Sequence, residues 1–214
     1  MLGRLANGFI ARSFRTNRSD WYVRRLTEQH VSTSAPHGLN FRVLEGAEKD
    51  WMHEWLKDHQ SIYPWVYFPA EMDSAQRYHH WYPTYWTHDT MVAFVKLARS
   101  RVFIHDFEAE ITLPPGIAFI YDTFVDPAHR NAGVGRALLD ATSAWLRKNE
   151  YQALYCHIED WNRPSIKAFT AAGFEKVATI RYTRVTSFRW WYISGRINTR
   201  RGLSQWMARR AEAS

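Results

Sequence analysis

Polar and apolar positions alternate at period two over Asn40–Leu44, as in a strand, while Ala47–His59 sets Trp51, Trp55 and Leu56 on one face at helical spacing. Pro64 and Pro69 interrupt the next stretch, Glu71–Trp81 reads as a second helix, and Pro83 closes it. Met91–Leu97 and Val102–Phe107 read as strands, and Pro114-Pro115-Gly116 is a turn into the apolar run Ile117–Val125. From Gly133 onward Val134, Leu138, Ala141 and Trp145 share one face of an amphipathic helix, with Arg136, Asp140 and Arg147 elsewhere. Ala153–Ile158 is a strand, Ser165–Ala172 a helix, and Lys176–Thr183 and Phe188–Ile193 are two final strands. The order is β-α-α-β-β-β-α-β-α-β-β.

The most informative stretch is Arg130-Asn131-Ala132-Gly133-Val134-Gly135, between the Ile117–Val125 strand and the next helix. Glycine lets the backbone approach a ligand, and the N–H groups of a first helical turn point at it, so a strand, a glycine turn and a helix start suit a pyrophosphate. Arg130 and Arg136 flank the turn and can neutralise phosphate charge. A Walker loop needs a Lys that is absent here, and a dinucleotide fingerprint needs a third glycine and an early place in the chain.

The pattern Arg-x-x-Gly-x-Gly resembles the acyl-CoA loop of the GNAT superfamily of N-acyltransferases, and Tyr121–Pro127 before it resembles that family's fourth strand. A second block, Trp161-Asn162-Arg163-Pro164-Ser165-Ile166 with Phe169 and Gly173-Phe174, resembles the end of its fifth strand, its fourth helix and the helix exit, and is similar to polyamine-type acetyltransferases. Local chemistry agrees: Asn162 can cap a helix, Pro164 suits a first turn, and Gly173 suits a left-handed C′ position. The resemblance implies an α/β (α+β) fold, a mixed, splayed central sheet of about seven strands flanked by helices, with the pantetheine arm of acetyl-CoA or another acyl-CoA entering the splay. It assigns the pyrophosphate to backbone N–H groups of Asn131, Ala132, Gly133, Val134, Gly135 and Arg136. It assigns pantetheine contacts to Thr123, Phe124, Val125 and Asn162.

Direct transfer from a thioester to an amine needs a base for the amine proton and an acid for the leaving thiolate. The resemblance puts the acid, a tyrosine, four residues before the helix-ending glycine, where this chain has Phe169. Phe169 has no proton to donate and is counted with the cofactor-binding positions; Tyr155 and His157, on one face of their strand by alternation, and Tyr121 are the candidate acids in its place. Asp122 is the first candidate base, at a strand position where related acetyltransferases often carry an acid, and a neutral His157 acting through water is the second. Cys156 falls on the opposite face from Tyr155 and His157 and reads as a small buried residue. His79-His80 would diverge by about 100° on a helix and lack a third ligand, so no metal is expected.

Composition narrows the setting. The chain has 214 residues, a single cysteine and a net charge of +7. That length suits one well-cored domain, and one cysteine excludes an internal disulfide and a cysteine-based zinc cage. No apolar run reaches membrane-span length, so a soluble cytoplasmic protein is expected. The charge sits at the ends: residues 1–25 hold six arginines against Asp20, and residues 177–214 hold eight against Glu212. A basic extension over 1–36, the acyltransferase domain over 37–195 and a basic tail over 196–214 describe this division.

Four readings of the ends stand: solvated arginines or a self-association surface such as a homodimer; an anionic membrane contact; nucleic acid, for which no reading motif accompanies the charge; and an organellar transit peptide. For the membrane reading, Phe9, Ile10, Phe14, Trp21 and Tyr22 lie among the N-terminal arginines.

On the acceptor side, residues 51–94 are dense in aromatics: Trp51, Trp55, Tyr63, Trp65, Tyr67 and Phe68, then Tyr78, Trp81, Tyr82, Tyr85, Trp86 and Phe94. They form either core and lid packing or a wall for a flat or amphipathic substrate (a sugar ring, an aromatic amine or a lipid-linked group), and no cluster of acids suited to a polycation is legible. The expected activity is transfer of an acetyl or other acyl group to a primary amine of a small metabolite or amino sugar. The alternatives are a longer acyl donor on acyl carrier protein, and a non-catalytic module that binds CoA or docks on a membrane or partner.

Overall fold

A computed structural model describes residues 14–26, 36–61 and 63–195. Their elements are β1 (Phe14–Arg25), β2 (Asn40–Val43), α1 (Ala47–Asp58), α2 (Pro69–Arg77), β3 (Pro83–Thr87), β4 (Thr90–Ala98), β5 (Arg101–Ile104), β6 (Ala109–Thr112), β7 (Ile117–Val125), α3 (Val134–Lys148), β8 (Ala153–Glu159), α4 (Arg163–Ala171), β9 (Glu175–Val185) and β10 (Phe188–Gly195). Eight strands form one sheet in the order β10-β9-β1-β8-β7-β4-β3-β2, and β5 and β6 form a separate hairpin. Every neighbouring pair is antiparallel except β7 and β8. This is the mixed α+β architecture with a splayed central sheet that the resemblance implied.

Three buried clusters hold the layers. Under α3 and α4 lie Tyr22, Val95, Leu97, Ile120, Leu138, Leu154, Cys156 and Phe169. On the opposite face, Trp21, Phe119, Tyr155 and Tyr182 pack with Val102, Phe107 and Ile111 of the β5–β6 region. A third cluster joins α1 and α2 to the sheet through Met52, Leu56, Met72, Phe94 and Phe124. Trp21 and Tyr22, adjacent in sequence, serve opposite faces, as strand alternation dictates.

Several elements differ from those read in the sequence. Residues 14–25, assigned to a basic extension, form the strand between β8 and β9. Trp21 and Tyr22 are therefore core residues rather than interfacial ones. Arginine content hides this strand, because two of its cations are met by distant acids: Arg15 by Glu108 at 3.2 Å and Arg24 by Asp140 at 2.6 Å. Asp140 accordingly lies on the buried side of α3, not the exposed one.

The second helix starts at Pro69, where the ring suits the first turn, and ends at Arg77. Beyond it His79 takes a φ of 52°, so the two histidines are not on a helix, and Trp81 bridges to Leu97. Pro83 opens strand β3, which pairs with both β2 and β4. Val102–Phe107 is a strand only to Ile104; a short 3-10 turn comes next and then β6. Phe9, Ile10 and the tail 196–214 lie outside the described residues.

Candidate active site

The site begins where the sheet opens. β7 and β8 pair in parallel from Ile117↔Ala153 to Ile120↔Cys156 and no further, so the facing edges of Tyr121–Val125 and His157–Glu159 carry unpaired backbone groups. On its other edge β7 keeps its pairing with β4, interrupted by a bulge: Leu97 faces Ile120, and Lys96 faces Asp122. A bulge shifts alternation by one residue. Asp122 and Phe124 thereby turn to the α1–α2 side, where Phe124 packs, and Val125 packs toward α3.

At the end of β7, Asp126 caps a short 3-10 turn by accepting from the Ala128 N–H at 2.9 Å. Arg130 folds back, donating from Nε to the Val125 carbonyl at 2.9 Å. Asn131 and Gly133 both have positive φ, 62° and 77°, and Gly133 is the N-cap of α3 with no side chain capping the helix. Nothing lies within 4 Å of where a Gly133 Cβ would be, whereas one on Gly135 would meet Val125 Cγ2 at 3.4 Å. The first-turn N–H groups therefore face open space, with Asn131, Ala132, Gly133 and Arg136 exposed and Val134 buried as the helix's inner anchor. A diphosphate fits this cradle. Arg136 leans its Nε to 3.8 Å from Asp140.

Across the split, α4 has the caps its sequence promised. Asn162 Oδ1 accepts from the Ser165 N–H at 3.2 Å, and Gly173 has a φ of 79°. Phe169 is buried against Phe174, with ring centroids 5.0 Å apart. It shares its cluster with Tyr22, whose hydroxyl pKa is raised by burial and then by Asp20 and Cys156, with Arg163 opposing. Cys156 lies in the same cluster, its thiol pushed up by burial and inert as a nucleophile.

The other mouth of the split is charged. Lys96 is fully buried and pairs with Asp122 at 3.0 Å while also donating to the Val66 carbonyl. Glu71 accepts from the His105 N–H at 3.1 Å, and burial lifts its carboxyl to about 8 despite Lys96. His157 lies among the rings of Trp21, Phe107 and Phe119, at centroid distances of 5.9, 5.4 and 5.9 Å. Burial lowers its pKa and keeps it neutral, against the pull of Asp106 and Asp122. Two residues on, Glu159 is raised to about 7, first by burial and then by Asp106, with Asn17 hydrogen-bonding to it. Trp21 Nε1 and His157 Nδ1 are buried with no partner among the described groups.

Tyr121 is committed elsewhere. His80 Nε2 lies 2.6 Å from the Arg101 carbonyl, so that nitrogen carries the proton, and burial holds the ring neutral with a pKa of about 4. Its Nδ1 must then accept from the Tyr121 hydroxyl at 2.9 Å. Tyr121 in turn is hydrogen-bonded to Tyr82, Tyr82 to His53 Nε2 at 2.8 Å, and His53 Nδ1 to the Gln76 amide at 2.9 Å. With one proton per link, every donor points toward the Arg101 carbonyl.

The fold thus brings Asp122 and His157 to one mouth of the split and leaves Tyr155 below it, buried in the paired part of β8 beside Phe119. Of the aromatic region, Tyr82, Tyr85, Trp86 and Phe94 are core. Tyr63 and Trp55 meet Phe124 near the mouth, at 4.9 and 6.1 Å. Acids scattered along the chain come near one another here: Asp106 acts electrostatically on both Glu71 and Glu159, and Asp122 on Glu71. Glu159 and Tyr22 carry no motif of their own; only the alternation that singles out His157 points also to Glu159. Among the described residues no group of three His, Cys, Asp or Glu side chains is placed to hold a metal ion.

The profile of the acetyltransferase (GNAT) family matches residues 44–174. Among curated proteins, none matches the sequence. Among solved structures the chain is similar to a Drosophila protein at 16% identity and a TM-score of 0.54, over 86% of this chain and 57% of that one. It is similar to a GCN5-related N-acetyltransferase from Sphaerobacter thermophilus at 14% identity and a TM-score of 0.53, over 91% of this chain and 57% of that one. It also resembles a GCN5-related glucosamine N-acetyltransferase region of a fungal multi-domain β-N-acetylglucosaminidase, at 13% identity and a TM-score of 0.51, over 85% of this chain and 22% of that one. At such identities the likeness is one of fold, and the chain spans well under two thirds of these proteins.

Proposed function

The chain belongs to the acetyltransferase (GNAT) family, and from that premise we propose that it moves an acyl group, acetyl in the first instance, from coenzyme A to a primary amine of a small molecule. The observation that carries this reading is the β7–β8 split furnished at both ends, with an uncapped helix start on one side and carboxylates on the other. The bound thioester supplies an activated acyl carbonyl. The N–H groups at the start of α3 hold its diphosphate, and the unpaired edge of Thr123–Val125 takes its extended arm as a strand would.

An amine is cationic in water and must lose a proton before it can attack. Asp122, already bound to Lys96, receives the ammonium group and orients it. That carboxylate is already engaged by the Lys96 ammonium, which suits it to holding the substrate. Glu159 is the better base: its pKa of about 7 matches the operating pH. Neutral His157, with Nδ1 unpartnered, stands beside it as an acceptor for the amine or a relay. Phe169 has no proton to give the departing sulfur, and Tyr22, in the same cluster with its hydroxyl kept protonated, takes that role. The acids favour a cationic acceptor, with the half-buried rings of Trp55 and Tyr63 near the mouth to take its apolar body.

The test is thiol release from acetyl-CoA with a panel of primary mono- and diamines, between about pH 6 and 9. Turnover that rises through about pH 7 supports the proposal. Acetyl-CoA binding without turnover on any amine would mark a non-catalytic module, and turnover only with long acyl thioesters a different donor.

A further inference from the structure

The outer strands of the sheet carry an exposed aromatic face unrelated to the split. Cross-strand registers set three rows over β10, β9 and β1: Phe188, Val185 and Phe14; Trp190, Thr183 and Thr16; Tyr192, Arg181 and Arg18. Period-two alternation puts all nine on one face. Phe14, Val185, Phe188, Trp190 and Tyr192 are between 39% and 67% exposed, and the rings of Phe188 and Trp190 stack at 6.1 Å. The opposite face of the same strands is turned to the core. Trp191 and Ile193 pack into the core there, and Arg15, Arg184 and Arg189 converge on Glu108, with nearest approaches of 3.2, 2.7 and 3.8 Å.

A contiguous aromatic patch of this kind marks a contact surface. Its charge selects the partner. Arg18 and Arg181 are exposed beside the rings; Arg18 has a single acid, Asp160 at 3.4 Å, and Arg181 has no acidic partner among the described residues. Stacking a second copy on this face would bring two sets of exposed arginines into one interface, at an electrostatic cost. The chain beyond the described strands adds positive charge: Arg4 and Arg12 precede Phe14 with no acid, and five arginines lie beyond Gly195 against Glu212. Phe14 itself stands at the corner of the patch. A flat face with tryptophan, tyrosine and phenylalanine between arginines matches the headgroup level of a bilayer, where rings lie at the interface and cations meet lipid phosphates. We infer that this β10–β9–β1 face docks the protein on an anionic lipid bilayer. No helix of the described residues is long and apolar enough to cross a membrane; the contact is peripheral.

The experiment is co-sedimentation with vesicles of phosphatidylcholine alone or with about 30% phosphatidylserine, near 0.1 M salt. The parent protein is expected in the pellet with the anionic vesicles only. The triple variant Phe188→Ser, Trp190→Ser, Tyr192→Ser is expected to lose about tenfold or more in partitioning with its melting temperature kept. Arg181→Glu, a single exposed change, should weaken binding in the same direction and stands in if the triple variant does not fold. The inference is overturned if the parent stays in the supernatant, or if both variants bind as the parent does, which would leave the terminal arginines as the whole cause. It is equally overturned if the parent is a dimer in ultracentrifugation that these substitutions dissociate, which would make the face a self-association surface.

Discussion

Arg24 of β1 places Nη1 2.6 Å from Oδ1 of Asp140 on α3, and both side chains are buried. The pair ties a strand near the start of the chain to the helix whose N-terminus faces the proposed diphosphate site. Removing Arg24 takes from buried Asp140 its shortest contact and leaves Arg136 at 3.8 Å; breaking a buried pair in this way costs about 3–5 kcal/mol, whereas removing both partners can be nearly neutral. Arg24→Met is therefore expected to lower stability to urea by that amount, and Arg24→Met with Asp140→Leu to recover most of it. Equal losses in the single and double variants would show that the pair holds little.

Glu71 gives a stability signature in pH. Its folded pKa of about 8 lies above the ordinary 4.5, so the native state holds a proton that the unfolded chain releases. Stability from this group is full below about pH 4.5 and declines as pH rises toward 8. Glu71→Gln keeps an acceptor for the His105 N–H and cannot ionise. Its melting temperature should match or exceed the parent's at about pH 8–9 and lose that advantage near pH 5. A difference independent of pH would contradict this.

Glu159 gives a kinetic one. Below about 7 the carboxyl is protonated and cannot accept the amine's proton, so kcat/KM should fall as pH drops through that value. Glu159→Gln should lose about 10²-fold in turnover and with it that limb of the profile. An unchanged limb in the variant would remove Glu159 from the role of base.

Tyr22→Phe separates acid chemistry from packing. The ring stays in its cluster beside Phe169, so stability should hold within about 1 kcal/mol while kcat falls. Full activity would mean that the thiolate departs without a proton from Tyr22.

Tyr121→Phe should act the other way. It strips the Tyr82 hydroxyl and His80 Nδ1 of their shared partner, at about 1–3 kcal/mol of stability, while turnover per folded molecule changes little. A large loss of kcat with stability intact would restore Tyr121 to the chemistry.

How much of the molecule is legible in the sequence depends on how far each interaction reaches. Gly133, Asn162 and Gly173 act within one helical turn, so the glycine loop and the α4 caps can be read from their neighbours alone. β1 cannot, because its arginines look solvated until Glu108 and Asp140 arrive from distant segments. The bulge at Tyr121 leaves no local signal either, and it turns Asp122 off the α3 face on which alternation from Ile120 would put it. The acid cluster draws on α2, the β5–β6 connection, β7 and β8, so no local window contains it.

The most direct test of the central claim is calorimetric titration of the protein with acetyl-CoA, using Gly133→Glu and Gly133→Asn as comparisons. Gly133 is exposed and left-handed with open space before it, so Glu there puts a negative charge on the diphosphate, whereas Asn tolerates the conformation and is neutral. The account predicts saturable one-to-one binding, lost by about tenfold or more in Gly133→Glu and largely kept in Gly133→Asn. No heat of binding from the parent, or equal affinity in both variants, would contradict it.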